Sequence, residues 1–159
     1  MKKKLKIGWF SFSCCEDSTI LFTELLNDHF IEWSKVIEFQ HIRILRKSNK
    51  LKGLDVAFVE GAIASKSDAL KLKEIRDNSK KLVAIGSCAI NGMPSAQRNQ
   101  FDPKTKKEIE FLIKRFSLSK NVKTVSDIVK IDDKVPGCPM NEEVFLKLIN
   151  KYLKDFNII

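Results

Sequence analysis

Short apolar runs that suit buried strands alternate along this chain with stretches of helical period, and that alternation is its tightest constraint. Residues 5–12 combine alternation with aromatic side chains and predict a first strand; 36–44 and 54–59 predict a second and a third. Residues 81–85, Lys-Leu-Val-Ala-Ile, are apolar enough for a strand covered on both faces, as in parallel sheets. A further strand is predicted over 125–131. Between these runs the spacing turns helical. Asp17 or Ser18 is placed to cap a helix through about Phe30, with Ile20, Leu21, Leu25, Leu26 and Phe30 on its apolar side. Ser65 with Asp68 resembles a capping box before a helix over 66–78. Asp102 and Pro103 open another, with Ile109, Leu112, Ile113 and Phe116 on one face. Asn141 caps the last, where Val144, Phe145, Leu148, Ile149 and Tyr152 face inward, while 86–99 predicts an irregular loop or short turn. Such alternation implies a mostly parallel sheet with helices on its faces.

The 159 residues suit one domain, 1–159, with a substantial core, and the 43% apolar and 9% aromatic content argues against disorder. No repeat, linker or low-complexity stretch interrupts it. No apolar run approaches the ~18 residues of a membrane span. The basic start lacks a long apolar segment and a twin-arginine pair, so the expectation is a cytoplasmic protein without a direct membrane span, compatible with a peripheral place on a membrane complex. The net charge is +9, from 29 basic and 20 acidic residues. The lysines are spread over helical faces and interleaved with acids, without an aromatic stacking motif; a solvated surface or a basic docking face for protein fits them better than nucleic acid.

Cys14 and Cys15 are adjacent after the first strand, Cys88 follows the run at 81–85, and Cys138 sits in a Pro-Gly-Cys-Pro turn. Ligands in open parallel sheets gather beyond the carboxyl ends of the strands. That rule brings Cys14, Cys15 and Cys88 together; Cys138 is not placed by it. Four thiolates suffice for one iron–sulfur cube, one sulfur per iron. Structural zinc usually uses close pairs such as C-x-x-C, which are absent, but a zinc site, a redox disulfide and four inert thiols remain open on spacing alone. Adjacent cysteines point oppositely in a strand, so both reach one cluster only if the chain turns, which Glu16 to Thr19 allow. His29 and His41 have no ligand spacing and read as structural. A Gly-x-Gly-x-x-Gly loop and a complete enzyme site are absent.

Cys14-Cys15-Glu16, the Val-Glu-Gly-Ala-Ile run at 59–63, Gly-Ser-Cys-Ala at 86–89 leading to Gly92-Met93-Pro94, and Pro-Gly-Cys-Pro at 136–139 together resemble the nickel–iron hydrogenase small subunit. They also resemble its relative, the 20 kDa subunit of NADH:quinone oxidoreductase, over about residues 5–150. The resemblance implies a flavodoxin-like three-layer α/β fold holding one proximal 4Fe–4S cluster on Cys14, Cys15, Cys88 and Cys138, against a larger subunit. The touching cysteines look like the respiratory relative, where many hydrogenase small subunits separate them by two residues; Glu16 and the 59–63 run look hydrogenase-like. The implied partner is a nickel–iron hydrogenase large subunit or its respiratory counterpart. Cysteines for further clusters are absent, so the resemblance also implies an additional electron-carrying subunit as acceptor. Ser13 and Ser87 are positioned to donate to sulfur. Glu16 and Glu60 read either as proton carriers and loop anchors or as carboxylates stabilising caps and turns.

Overall fold

The computed structural model describes residues 3–45 and 48–159. Its main sheet has five strands: β1 (Leu5–Ser11), β2 (Ile37–His41), β3 (Leu54–Glu60), β5 (Ser79–Ile85) and β7 (Asp133–Val135). Their order is β2-β1-β3-β5-β7 and every pairing is parallel. Taken in chain order, these strands have the 2-1-3-4-5 arrangement of flavodoxin-like folds. A second sheet pairs β4 (Ile63–Ser65) antiparallel with β6 (Leu118–Lys123).

The period of two in the strands divides the core into two layers. Leu5, Ile7 and Trp9 of β1 face the same side as Val56, Phe58, Val83 and Ile85. There they meet α1 (Asp17–Val36) and α6 (Glu142–Asp155) through Phe22, Leu25, Leu26, Phe145, Ile149 and Tyr152. Phe10, Ala57, Val59, Leu82 and Ala84 point to the other face, under Leu72 and Ile75 of α2 (Lys66–Asp77). This is the expected three-layer α/β architecture. Trp9 stacks on Phe22 at 4.4 Å, and Phe145 meets both rings edge-on.

Several elements depart from the sequence expectation. Helix α1 runs on to Val36 and passes straight into β2, because Trp33 extends its buried stripe beyond Phe30. That stripe is Phe22, Leu25, Leu26 and Trp33; Ile20 and Phe30, expected inside, are exposed. No strand forms over 125–131. Val125 is buried in a turn held by its amide to the Ala89 carbonyl, and β6 and β7 flank it. The expected helix from Pro103 breaks at Ile109 into α4 (Pro103–Glu108) and α5 (Glu110–Arg115). Part of the expected loop at 86–99 is helical: α3 (Gly86–Asn91) and a 3-10 turn, Gln97–Gln100. The caps at Ser65, Asp102 and Asn141 form as expected, each accepting from the first-turn amides.

Asp132 fixes the sheet edge. Its carboxylate accepts from the Leu82 amide (2.9 Å), Arg76 (2.7 Å) and Lys81 (3.3 Å), joining α2 to the β5–β7 seam. Burial raises this carboxyl, but those donors outweigh it and hold the group below the ordinary carboxylate range. A carboxylate depressed on folding stabilises the fold above its unfolded pKa of ~3.9 and loses that contribution as pH falls through the lower folded value. Asp132→Asn is therefore expected to cost about 1–3 kcal/mol near neutrality. The gap from the parent should narrow as the acid limb is descended. Urea unfolding across that range checks both statements.

Candidate metal centre

All four cysteines line one cleft at the carboxyl ends of the main strands. Cys14 and Cys15 follow β1, where Ser13 is held by paired backbone bonds to Ala62 (3.1 and 2.9 Å). Cys88 lies in α3, which starts directly at the end of β5. Cys138 lies beyond β7, so the strand that delivers it is 133–135 and not the expected 125–131. Gly86 and Gly137 shape the last two approaches, with φ of +76° and +121°. A side chain on Gly86 would press on Ser18 Oγ, and one on Gly137 would collide with the Pro139 carbonyl. The Ser87 amide and hydroxyl both donate to the Gly137 carbonyl (2.7 and 3.1 Å), tying the Cys88 helix to the Cys138 turn. Ser87 is thus engaged with backbone and not with sulfur.

The Cys14–Cys15 turn is anchored from another strand. Glu16 adopts φ +65° and precedes α1 without a side-chain cap. Glu60, at the end of β3 and 2% exposed, supplies the cap. It accepts from the Ser18 amide (3.0 Å) and the Thr19 hydroxyl (2.6 Å). Thr19 also accepts from the Trp9 indole (2.8 Å), and Ser18 Oγ accepts from the Met140 amide (3.1 Å). Burial raises the Glu60 pKa against the lowering effect of its two donors. Of the two readings of this residue, the geometry displays the second, a carboxylate that stabilises a helix start. Glu16 is exposed and lines a neighbouring cleft of about 310 Å³ with Trp9, Thr19 and Lys71.

The thiols differ. Cys88 is buried, Cys14 half-buried, and Cys15 and Cys138 exposed; none is in a disulfide. Burial, then the Glu60 charge, push the Cys14 thiol up to about 12. Binding of a metal at Cys14 must therefore displace a proton. Ser95, in the stretch read as irregular, reaches both ligand loops: its hydroxyl donates to the Ser13 carbonyl (2.8 Å) and lies 3.3 Å from Cys88 Sγ. No periodicity marks it; the sole signal was its place seven positions after Cys88. Ala62, Ala64, Ala96 and Val122 pack behind Cys88 and keep that wall dry. His29 stacks on Trp33 and His41 lies tilted against Phe10, neither on the cysteine cleft.

The donor set fits an inorganic cluster. The enclosed space is small, about 10 Å³, and two of the thiols on its lining are exposed. Among the described residues, no three His, Cys, Asp or Glu side chains converge at single-ion range.

A parallel three-layer fold with four thiols around the strand ends defines a class of thiol-lined α/β domains. Residues 14–152 match the family described as NADH ubiquinone oxidoreductase, 20 Kd subunit, and the chain belongs to that family. The sulfhydrogenase 2 subunit delta of Pyrococcus furiosus is 30% identical, with 92% of this chain and 61% of the relative aligned. The delta subunit of the NAD-reducing hydrogenase HoxS of Cupriavidus necator is 26% identical, over 60% of this chain and 53% of the relative. The chain thus spans little more than half the length of these relatives. A chain in the crystal structure of an NAD+-reducing [NiFe]-hydrogenase in its H2-reduced state superposes with a TM-score of 0.83. At 24% identity, over 96% of this chain and 93% of that one, it establishes the shared fold.

Truncating Glu60 to alanine leaves the buried Ser18 amide without its acceptor, while the Thr19 hydroxyl still has Ser11 Oγ at 3.2 Å. The expected cost is about 1–3 kcal/mol, the usual range for orphaned buried donors. Hydrogen exchange should accelerate at the Ser18 amide and stay unchanged at Leu26, two turns deeper in α1. Equal protection at both sites would contradict the capping role.

Proposed function

We propose that this chain is the electron-transfer small subunit of a nickel–iron hydrogenase complex. In this reading Cys14, Cys15, Cys88 and Cys138 hold one proximal 4Fe–4S cluster, relaying electrons between a large subunit's nickel–iron site and another redox subunit. One observation carries the proposal: cysteines from three distant stretches of sequence line a single cleft. The lack of a close C-x-x-C pair in the sequence supports a cluster over structural zinc. A zinc site built from four cysteines gathers its sulfurs about 2.3 Å from one centre, whereas a cube places a separate iron at each sulfur. When bound, such a cluster supplies one-electron redox chemistry.

The chain's own residues set the conditions for that chemistry. The alanine-rich wall at Cys88 excludes water, and Ser95 places a hydroxyl beside its sulfur. Glu60 and Ser18 hold the paired-cysteine turn against the 136–140 loop. Exposed Cys15 and Cys138 leave the opposite side to be covered by a partner. Hydrogen bonds to sulfur and solvent exclusion are the protein's means of tuning a cluster potential. The family match and the hydrogenase names of several relatives support this assignment. The adjacent cysteines favour a second reading, the corresponding subunit of a respiratory quinone or ferredoxin oxidoreductase. Among the described residues no helix is long and apolar enough to cross a membrane.

Anaerobic purification with the partner, followed by iron and acid-labile sulfide analysis, tests the assignment. About four of each per chain are expected. Cys88→Ser and Cys138→Ser should each impair assembly and electron flux while the far-ultraviolet spectrum stays that of the parent. Full cluster signal in either variant, or stoichiometric zinc without sulfide, overturns it. Nickel in the partner distinguishes the hydrogenase reading from the respiratory one.

A further inference from the structure

An apolar stripe along α5 and its flanking residues Ile109 and Phe116 is covered only in part by the described residues. Ile109 and Ile113 are half-buried, while Leu112 is 38% and Phe116 62% exposed. The stripe has the same period as that of α6, whose Phe145, Ile149 and Tyr152 are fully enclosed. Ile109 and Ile113 form part of the lining of a groove of about 400 Å³, walled by Arg98, Lys106, Lys107, Lys114 and Lys120. The groove shares no lining residue with the cysteine cleft.

Five cations face a single carboxylate in this groove. Glu110 is its single lining acid and is paired with Lys114 (2.9 Å). Arg98 donates to the carbonyls of Ala64 and Ser119 (3.3 and 2.8 Å), and its buried Nε has no acceptor. Lys106 reaches only the Asn99 carbonyl (2.9 Å). Among the described residues no carboxylate lies within ion-pair distance of Arg98, Lys106, Lys107 or Lys120, although Lys107 and Lys120 act on Glu110 through space. Gathering five cations on one wall raises a local positive potential that attracts an anionic surface. The aliphatic floor and the exposed Phe116 call for apolar side chains as well, which a bare polyanion lacks. A second copy of this chain, itself at +9, is repelled.

The geometry points to a docking site for another protein, which presents an acidic segment carrying apolar side chains. The apolar residues cover the α5 stripe, and the carboxylates meet Lys107, Lys120 and their neighbours. This surface functions whatever the cysteine cleft binds.

Photo-crosslinking from position 116, in the full chain expressed within its native complex, tests the site. Phe116 is exposed, so its replacement by a photoreactive phenylalanine leaves the packing undisturbed. The expected product joins position 116 to an Asp- and Glu-rich segment of a different protein chain. Lys107→Glu combined with Lys120→Glu should cut the yield at least ~tenfold, and half-molar salt should cut it similarly, as screening of a charged interface requires. Label on a second copy, on RNA or on lipid overturns the proposal. So does absence of label, or a yield indifferent to charge reversal and salt. Iron and sulfide measured on the same variants report the cysteine cleft separately: failure of the groove leaves them at parent values.

Discussion

The carboxylate of Glu60 holds the start of α1 against the end of β3, and the arrangement of the cysteines rests on that contact. Burying a carboxylate away from water is unfavourable. Here two donors and the positive end of a twenty-residue helix oppose that cost. The consequence reaches beyond the pair. Fixing Ser18 also fixes the hydroxyl that accepts from Met140, so the loop bearing Cys138 leans on the same helix end. Gly86, whose missing side chain leaves room for Ser18, brings the Cys88 helix to the same place. Three segments far apart in sequence converge because each lies against one helix terminus.

That convergence follows from a general property of doubly wound sheets. Parallel strands all release their chain at the same end, so residues just after β1, β5 and β7 become neighbours whatever their separation. The cleft is then asymmetric. Cys88 is backed by packed alanines, while Cys15 and Cys138 face outward. On the proposed reading, this chain supplies the dry rear wall and a partner supplies the front. The solvent exclusion that sets a cluster's potential is in that case a property of the assembly.

The sequence marked four strands of the main sheet: β1 and β2 at 5–12 and 36–44, and most clearly the two whose residues are buried on both faces. Residues 54–59 and 81–85 are continuous apolar runs, and β3 and β5 stand at the middle of the sheet. The strands that were missed have no such signature: β4 and β7 are three residues long each, and β6 reads Leu-Ser-Lys-Asn-Val-Lys. The run at 125–131 looked more strand-like than either, yet its apolar residues pack beneath the sheet from a turn. The cysteines were legible because thiols are few and stand at motif-like positions. The cap from Glu60 was not, since a partner forty-two positions away leaves no local pattern. The obvious local choices, Asp17 and Ser18, belong to the helix itself.

The two stripes of like period show what such a pattern does and does not specify. A period near 3.6 states that one side of a helix is to be buried. It is silent on whether the cover lies in the same chain. In α6 the stripe ends in Tyr152, whose hydroxyl donates to Asp133 at 2.6 Å inside the layer, and its cations stay on the solvent side. In α4 and α5 the lysines border the stripe itself, and burying them against this chain's own core would strand their charges. Flanking charge therefore separates the two cases. A stripe bordered by five cations suits a surface that brings carboxylates with its apolar groups, because this chain lines that groove with one carboxylate, Glu110, already paired with Lys114.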